Sequence, residues 1–147
     1  MAYQFNRFDQ EKITDGEWDT IEGGRFKIAK SGNAVHLEAS ERIAKEQQKK
    51  YPDGDIPIME RLRATAREWA EGVLRDWQEM EAADGSSVPY SIENATTLLM
   101  NDEPLFNAVR RKSREMARFE QEHVEKQAKK PQNSSAGKSS GKEADAA

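Results

Sequence analysis

The feature that most constrains this chain is an apolar stripe that starts at Ile58 and runs to about Met80. Met59, Leu62, Ala66, Trp69, Val73, Trp77 and Met80 recur at steps of three or four, the spacing of one face of an amphipathic helix. Arg61, Arg63, Arg67, Glu68, Glu71 and Arg75 occupy the other side. At ~1.5 Å per residue such a helix spans roughly 35 Å. A stripe of this length cannot stay in water unpartnered, because burying each large side chain stabilises by ~1.5–3 kcal/mol. The pattern therefore predicts a central helix around which other elements pack.

The flanking segments are consistent with a mainly α fold. Residues 1–15 are polar with scattered aromatics (Tyr3, Phe5, Phe8) and read as an irregular arm. Trp18, Thr20, Phe26 and Ile28 are strand formers around Gly23-Gly24, which predicts a hairpin over about 17–21 and 25–30. Residues 34–50 read as a helix with a thin stripe of Val35, Ala39 and Ile43, and YPDGDIP (51–57) breaks it. Gly85 ends the central helix region, and Ser91 can N-cap a short helix with Ile92, Ala95, Leu98 and Leu99. Asn101-Asp102 caps the last helix, expected from about 103 to 129, with Pro104 in its first turn. From Pro131 the chain is rich in Ser, Gly, Ala and Lys and reads as a disordered tail over 131–147. The expected organisation is thus an arm (1–15), a small helical domain (16–130) with a hairpin at 17–30, and the tail.

Composition limits the chemistry. The 147 residues are 35% hydrophobic and 34% charged, with a net charge of −4, so one modest core is the most the chain can build. There is no cysteine, which removes disulfides and thiolate chemistry together. No apolar run approaches the ~18 residues of a membrane span, and the first residues lack the apolar stretch of a secretory signal. Asp53-Gly54-Asp55 lacks the ligand spacing of a calcium loop and reads as a turn. His36 and His123 have no nucleophile in view and read as surface residues. Gly23-Gly24 has no phosphate-loop spacing, and Asp76, next to Trp77 and one turn after Leu74, is the nearest candidate for acid–base work but reads as a hydrogen bond to a neighbouring turn. Neither an enzyme nor a bound metal or cofactor is expected.

What remains is surface. Arg110, Arg111, Lys112 and Arg114 form a dense basic run, suited to an acidic partner or to a solvated helix face. No aromatic residue interleaves with it as single-stranded nucleic acid would require, so nucleic acid is not an expected partner. The apolar residues suited to holding a partner helix are Met59, Leu62, Trp69, Val73, Trp77, Met80, Leu98 and Leu99, with Arg110, Arg111 and Arg114 as charged contacts. For the apolar residues core packing is the more frequent role.

The order of motifs is informative. Gly16-Glu17-Trp18, Phe26-Lys-Ile-Ala-Lys30 with Gly32-Asn33, Val73-Leu-Arg-Asp-Trp77, Asp84-Gly85, Val88-Pro-Tyr-Ser91, Glu93-Asn94-Ala95, Leu98-Leu99 and Pro104-Leu105 succeed one another up to Phe119-Glu120. In this order the chain resembles the tail assembly chaperones of long-tailed bacteriophages over roughly residues 15–128. It departs from them at Gln78-Glu79-Met80, where a Gly-Val type step is expected. The resemblance implies a late, non-catalytic protein of the host cytoplasm. Such a protein coats the apolar, helical tape-measure protein and keeps it soluble. It helps recruit tail-tube subunits and then leaves the particle. The resemblance also implies a longer, frameshifted form of the chain as a partner, with Gly137-Lys138 and Gly141-Lys142 as candidate slippery positions. A homo-oligomer is compatible with it. The competing readings are a structural minor tail or connector protein, and a small helical DNA-binding regulator using the 110–114 run.

Overall fold

A computed structural model describes residues 2–122. The expected tail, the last turns of the helix expected to reach 129, His123 and both Gly-Lys pairs lie outside the described residues. The chain divides into two units. Asp9–Phe119 holds all the named elements: α1 (Gln10–Asp15), β1 (Glu17–Ile21), β2 (Gly24–Ile28), α2 (Ala34–Lys50), α3 (Ile58–Gly72), β3 (Leu74–Gln78), α4 (Ile92–Asn101) and α5 (Glu103–Lys112). A 3₁₀ turn, Met116–Phe119, closes this unit. In the other unit Phe8 and Glu120 form an antiparallel bridge, Arg7 Nε lies 3.0 Å from Glu120 Oε2, and the Gln121 N–H donates to Arg7 O.

About half of the described residues are helical, and β1, β2 and β3 form an antiparallel sheet in that order. The mainly α expectation therefore holds only in part. The expected hairpin forms, but its two-residue turn is Glu22-Gly23, with Gly24 already in β2. Both turn residues have positive φ (47° and 85°), as a twist-matched hairpin turn needs. The arm expected over 1–15 contains α1. Asp9 caps it by accepting from the Glu11 and Lys12 N–H groups, and Gly16, at φ 100°, ends it.

The central correction concerns residues 73–80. The helix expected from 58 to about 80 stops at Gly72, and Leu74–Gln78 is the third strand. The periodicity misleads because of a bulge. Phe26 pairs with Trp77 and Ile28 with Leu74, which leaves Arg75 as the extra residue. A bulge inserts one residue into the alternation of a strand. Leu74 and Trp77, three apart, therefore share the inward face as they would on a helix. Val73, Trp77 and Met80 consequently do not lie on α3.

The core explains the layout. Phe26 and Ile28 from the sheet, with Leu74 and Trp77, meet Ala66 and Ala70 of α3, Ala95 and Leu99 of α4, and Leu105, Phe106 and Val109 of α5. α2 and α3 form an antiparallel helical hairpin. Gly72 meets His36 at one end, and Glu60 meets Gln47, Lys50 and Tyr51 at the other. Ala39 and Ile43 are the buried residues of α2, and Ala66, Ala70 and Gly72 those of α3.

Asn33 organises the junction. Its Oδ1 accepts from the Val35 and His36 N–H groups at 2.8 and 3.1 Å, capping α2. Its Nδ2 donates to Lys30 O at 2.6 Å and to Gly72 O at 2.8 Å, capping α3 from the other side. Tyr90 completes that end: its hydroxyl oxygen lies 3.0 Å from Ala70 O and 2.7 Å from Leu74 O. The Trp77 indole N–H donates to Val88 O at 2.9 Å, and its ring meets Tyr90 edge-on.

α5 ends sooner than its sequence suggests, at Lys112 rather than near 129. All four of its last carbonyls are taken. Val109 O accepts from the Ser113 N–H, Arg110 O from the Ser113 hydroxyl, Arg111 O from the Arg114 N–H, and Lys112 O from Arg118 Nη1. With no orphan acceptor left, the helix has a complete stop.

Two substitutions test the junction. Asn33→Asp keeps the cap of α2 but sets a carboxylate against Lys30 O and Gly72 O. It should lower unfolding stability by about 2–4 kcal/mol in a urea titration, as much as Asn33→Ala does. Near-native stability of the Asp variant would remove the two donated bonds from this account. A Cβ at Gly72 would stand 2.3 Å from His36 Cα. Gly72→Ala should therefore cost about 2–3 kcal/mol, a value at the upper end for overpacking. A neutral effect in thermal unfolding would show that the helices can separate at no cost.

Candidate partner-binding surface

The residues expected to hold a partner fall into four groups. Val73, Trp77 and Leu99 are buried core residues and are not available to a partner in this fold. Met80 and Leu98 are partly buried and pack on the core edge, where both line a surface groove with Phe26 and Leu105. Trp69 is half-buried, edge-on to His36 and Phe106. Met59 and Leu62 are exposed, at 59% and 51%, together with Ile58 at 60%.

These last three form the open apolar surface of α3. Ile58 and Leu62 lie one turn apart, and Met59 neighbours them. The same stripe continues into the core at Ala66 and Ala70. One helical face therefore serves two purposes, and Ala66 is where burial begins. Arg61 and Arg63 are exposed beside the open part. The α3 N-terminus lacks a side-chain cap, because Pro57 occupies that position.

The basic run divides as well. The Arg110 guanidinium stacks 3.7 Å from the Phe106 ring centroid and bonds Asn107 Oδ1 at 3.2 Å. Lys112 Nζ lies 3.2 Å from Asp19 Oδ2. Arg110 and Lys112 are thus engaged in the fold, while Arg111 and Arg114 are exposed. Arg118 was missed by sequence reasoning, and it is the charge that binds most of this corner. It donates to Asp19 Oδ2 at 3.1 Å, Glu17 O at 2.7 Å and Lys112 O at 2.9 Å. Burial pulls its pKa below the ordinary arginine value, with Asp19 opposing. Burial alone would raise the Asp19 carboxyl. The Thr20 N–H, Lys112 and Arg118 outweigh it and hold the carboxyl below its usual value. No sequence signal distinguishes Arg118, since Asp19 and Glu17, two of these three partners, lie far along the chain.

Other shifted groups also have structural causes. Burial pushes the Tyr90 hydroxyl up to about 12. Burial lowers His36, while Glu68 opposes. Its Nδ1 accepts the Gly32 N–H at 2.9 Å, which the protonated ring could not do. Among the described residues no group of three or more His, Asp or Glu converges as metal ligands would. No helix of the described residues is long and apolar enough to cross a membrane.

Residues 31–130 match a family model described as the YdaY prophage protein. The chain belongs to this phage-derived family. No curated protein and no solved structure matches the chain. The YdaY match starts at Ser31, two residues before Asn33, and takes in both helices of the α2–α3 hairpin, β3, α4 and α5. It leaves β1 and β2 outside. In the YdaY-family chain the residues of the chaperone-like motifs are largely fold-builders. Gly16 lies against Ala29 and Ile28, Ser91 caps α4, and Asn94 Nδ2 donates to Pro89 O. They carry the shape of the domain, whereas Ile58, Met59 and Leu62 lie outside those motifs.

His36 gives a test in pH. Its folded pKa is lowered, so the unfolded chain takes up the proton first. Its contribution to stability is complete above the unfolded value of about 6.5 and is lost as pH falls through the lowered folded value. Denaturant midpoints should therefore drop on going below pH 6.5, and His36→Gln should flatten that part of the profile. An unchanged slope in the variant would assign the titration elsewhere.

Proposed function

We propose that this prophage protein is a tail assembly chaperone that holds the tape-measure protein in soluble form before tail-tube subunits replace it. The observation that carries the reading is the open apolar surface of Ile58, Met59 and Leu62 on α3, bordered by Arg61 and Arg63. Membership in a prophage family and the order of chaperone-like motifs point the same way. The energetics fit a temporary partner. Burying the exposed half of a large side chain stabilises by about 1 kcal/mol. Three such side chains give about 3 kcal/mol, less than the several kcal/mol that association costs, so holding the partner takes several such contacts distributed along it, each of which can later be released. No bond is made or broken in this role. It belongs to the host cytoplasm, with the tail-tube protein and a frameshifted longer form as further partners.

Co-expression with the tape-measure protein tests the proposal. The wild-type chain should raise the soluble fraction of the tape-measure protein and co-purify with it. The double variant Met59→Lys/Leu62→Lys changes exposed positions, so its unfolding free energy should stay within about 0.5 kcal/mol of wild type. It should no longer solubilise the partner. A wild-type chain without effect would overturn the chaperone role. A double variant as effective as wild type would remove this surface from it.

A further inference from the structure

A second surface, distinct from the α3 patch, has a chemistry of its own. Between the β1–β2 turn, the end of β3 and the α4–α5 corner lies a groove of about 480 Å³. That is within the range of sites that accept ligand or partner side chains. Its floor is apolar, formed by Phe26, Met80, Leu98 and Leu105. Its rim is acidic: Glu22, Glu79, Glu81 and Asp102 line it, and no lysine or arginine is among the described residues that line it. Asp102 is occupied, accepting from the Leu105 N–H to cap α5. The side chains of Glu22, Glu79 and Glu81 are exposed on the rim. Glu22 and Glu79 are also the two non-glycine residues with positive φ among the described residues, at 47° and 51°. At both places the chain carries a carboxylate where the backbone favours glycine.

We propose that this groove docks an amphipathic, lysine- or arginine-bearing helix of a partner protein, with its apolar side chains on the Phe26–Met80–Leu98–Leu105 floor and its cations against the glutamates of the rim. Charge complementarity decides the occupant. An acidic or neutral helix would desolvate or repel the rim carboxylates without pairing them, whereas a cationic one neutralises them. A nucleic acid is excluded by the same sign of charge. The proposal stands apart from the chaperone reading, since it uses none of Ile58, Met59 or Leu62.

The methionine methyls allow both surfaces to be read in one experiment, because Met80 lies in the groove and Met59 on the α3 patch. The full chain, labelled at its methionine methyls, is titrated with a synthetic amphipathic helix of leucine and lysine, and with its leucine–glutamate counterpart. The lysine helix should shift the Met80 methyl in a saturable way at micromolar concentration. The shift should vanish in about 1 M salt, where the screening length is ~3 Å. Glu79→Gln/Glu81→Gln should weaken binding by ~10-fold or more. Glu79→Lys/Glu81→Lys should transfer it to the glutamate helix. Unchanged unfolding midpoints establish that both variants fold. A failure of either to fold leaves the wild-type salt dependence and peptide preference to decide. Shifts at Met59 alone, equal response to both peptides, or no response of Met80 to either would overturn the proposal.

Discussion

A single buried side-chain amide, that of Asn33, holds the two halves of this fold in register. Residues 29–33 leave the sheet, α2 begins and α3 ends at one place, and each leaves backbone groups without partners. Asn33 meets these needs with both ends of one amide, accepting from two N–H groups and donating to two carbonyls. An amide side chain offers an acceptor oxygen and two N–H donors side by side, and asparagine is the shorter of the two amide residues. Its neighbours depend on that geometry. Gly72 can lie against the His36 backbone at this point because it carries no Cβ. The turn from α3 into β3 comes next, and with it the third strand. Tyr90 reinforces the arrangement by bridging toward the carbonyls of Ala70 and Leu74.

Much of this was legible in the sequence where a local rule operates alone. The bounds of α2, the break at 51–57, the Ser91 cap and the Asp102–Pro104 start of α5 all arise from capping and proline chemistry within a few residues. The hairpin was readable from strand formers around a glycine pair, although the turn itself uses Glu22. The features that could not be read arise from contacts distant in sequence. The bulge at Arg75 imitates helical spacing, and only pairing with Phe26 and Ile28 reveals it. The stop after Lys112 is completed by Arg118, itself held by Asp19 and Glu17 far upstream, and by Ser31 donating to Ser113 O. Nothing in the order of residues announces either contact.

The candidate surface shows the same division. A stripe of apolar residues specifies that a face exists, but not where its burial begins. Met59, Leu62, Val73, Trp77 and Leu99 look alike in a helical pattern. The first two are open to solvent and the other three are sealed, because the core formed by the sheet, α4 and α5 reaches only the later part of α3. The basic run was legible as charge, but its division between structural and exposed members was not. Phe106, one turn before Arg110 and stacked under it, and Asp19, far upstream, make that division.

The helical hairpin has one further consequence. From Ala44 on α2 through Thr65 on α3 no residue is buried, and this outer stretch is joined by contacts to Glu60 from Gln47, Lys50 and Tyr51. Of these, Lys50–Glu60 is an exposed ion pair, and such pairs contribute at most ~1 kcal/mol each. Its amides should therefore exchange with solvent through local opening, at much lower free energy than those of the sheet. The end that carries Ile58, Met59 and Leu62 can fray and re-form while the Asn33 junction stays shut, so the greasy tip is a compliant finger on a stiff knuckle.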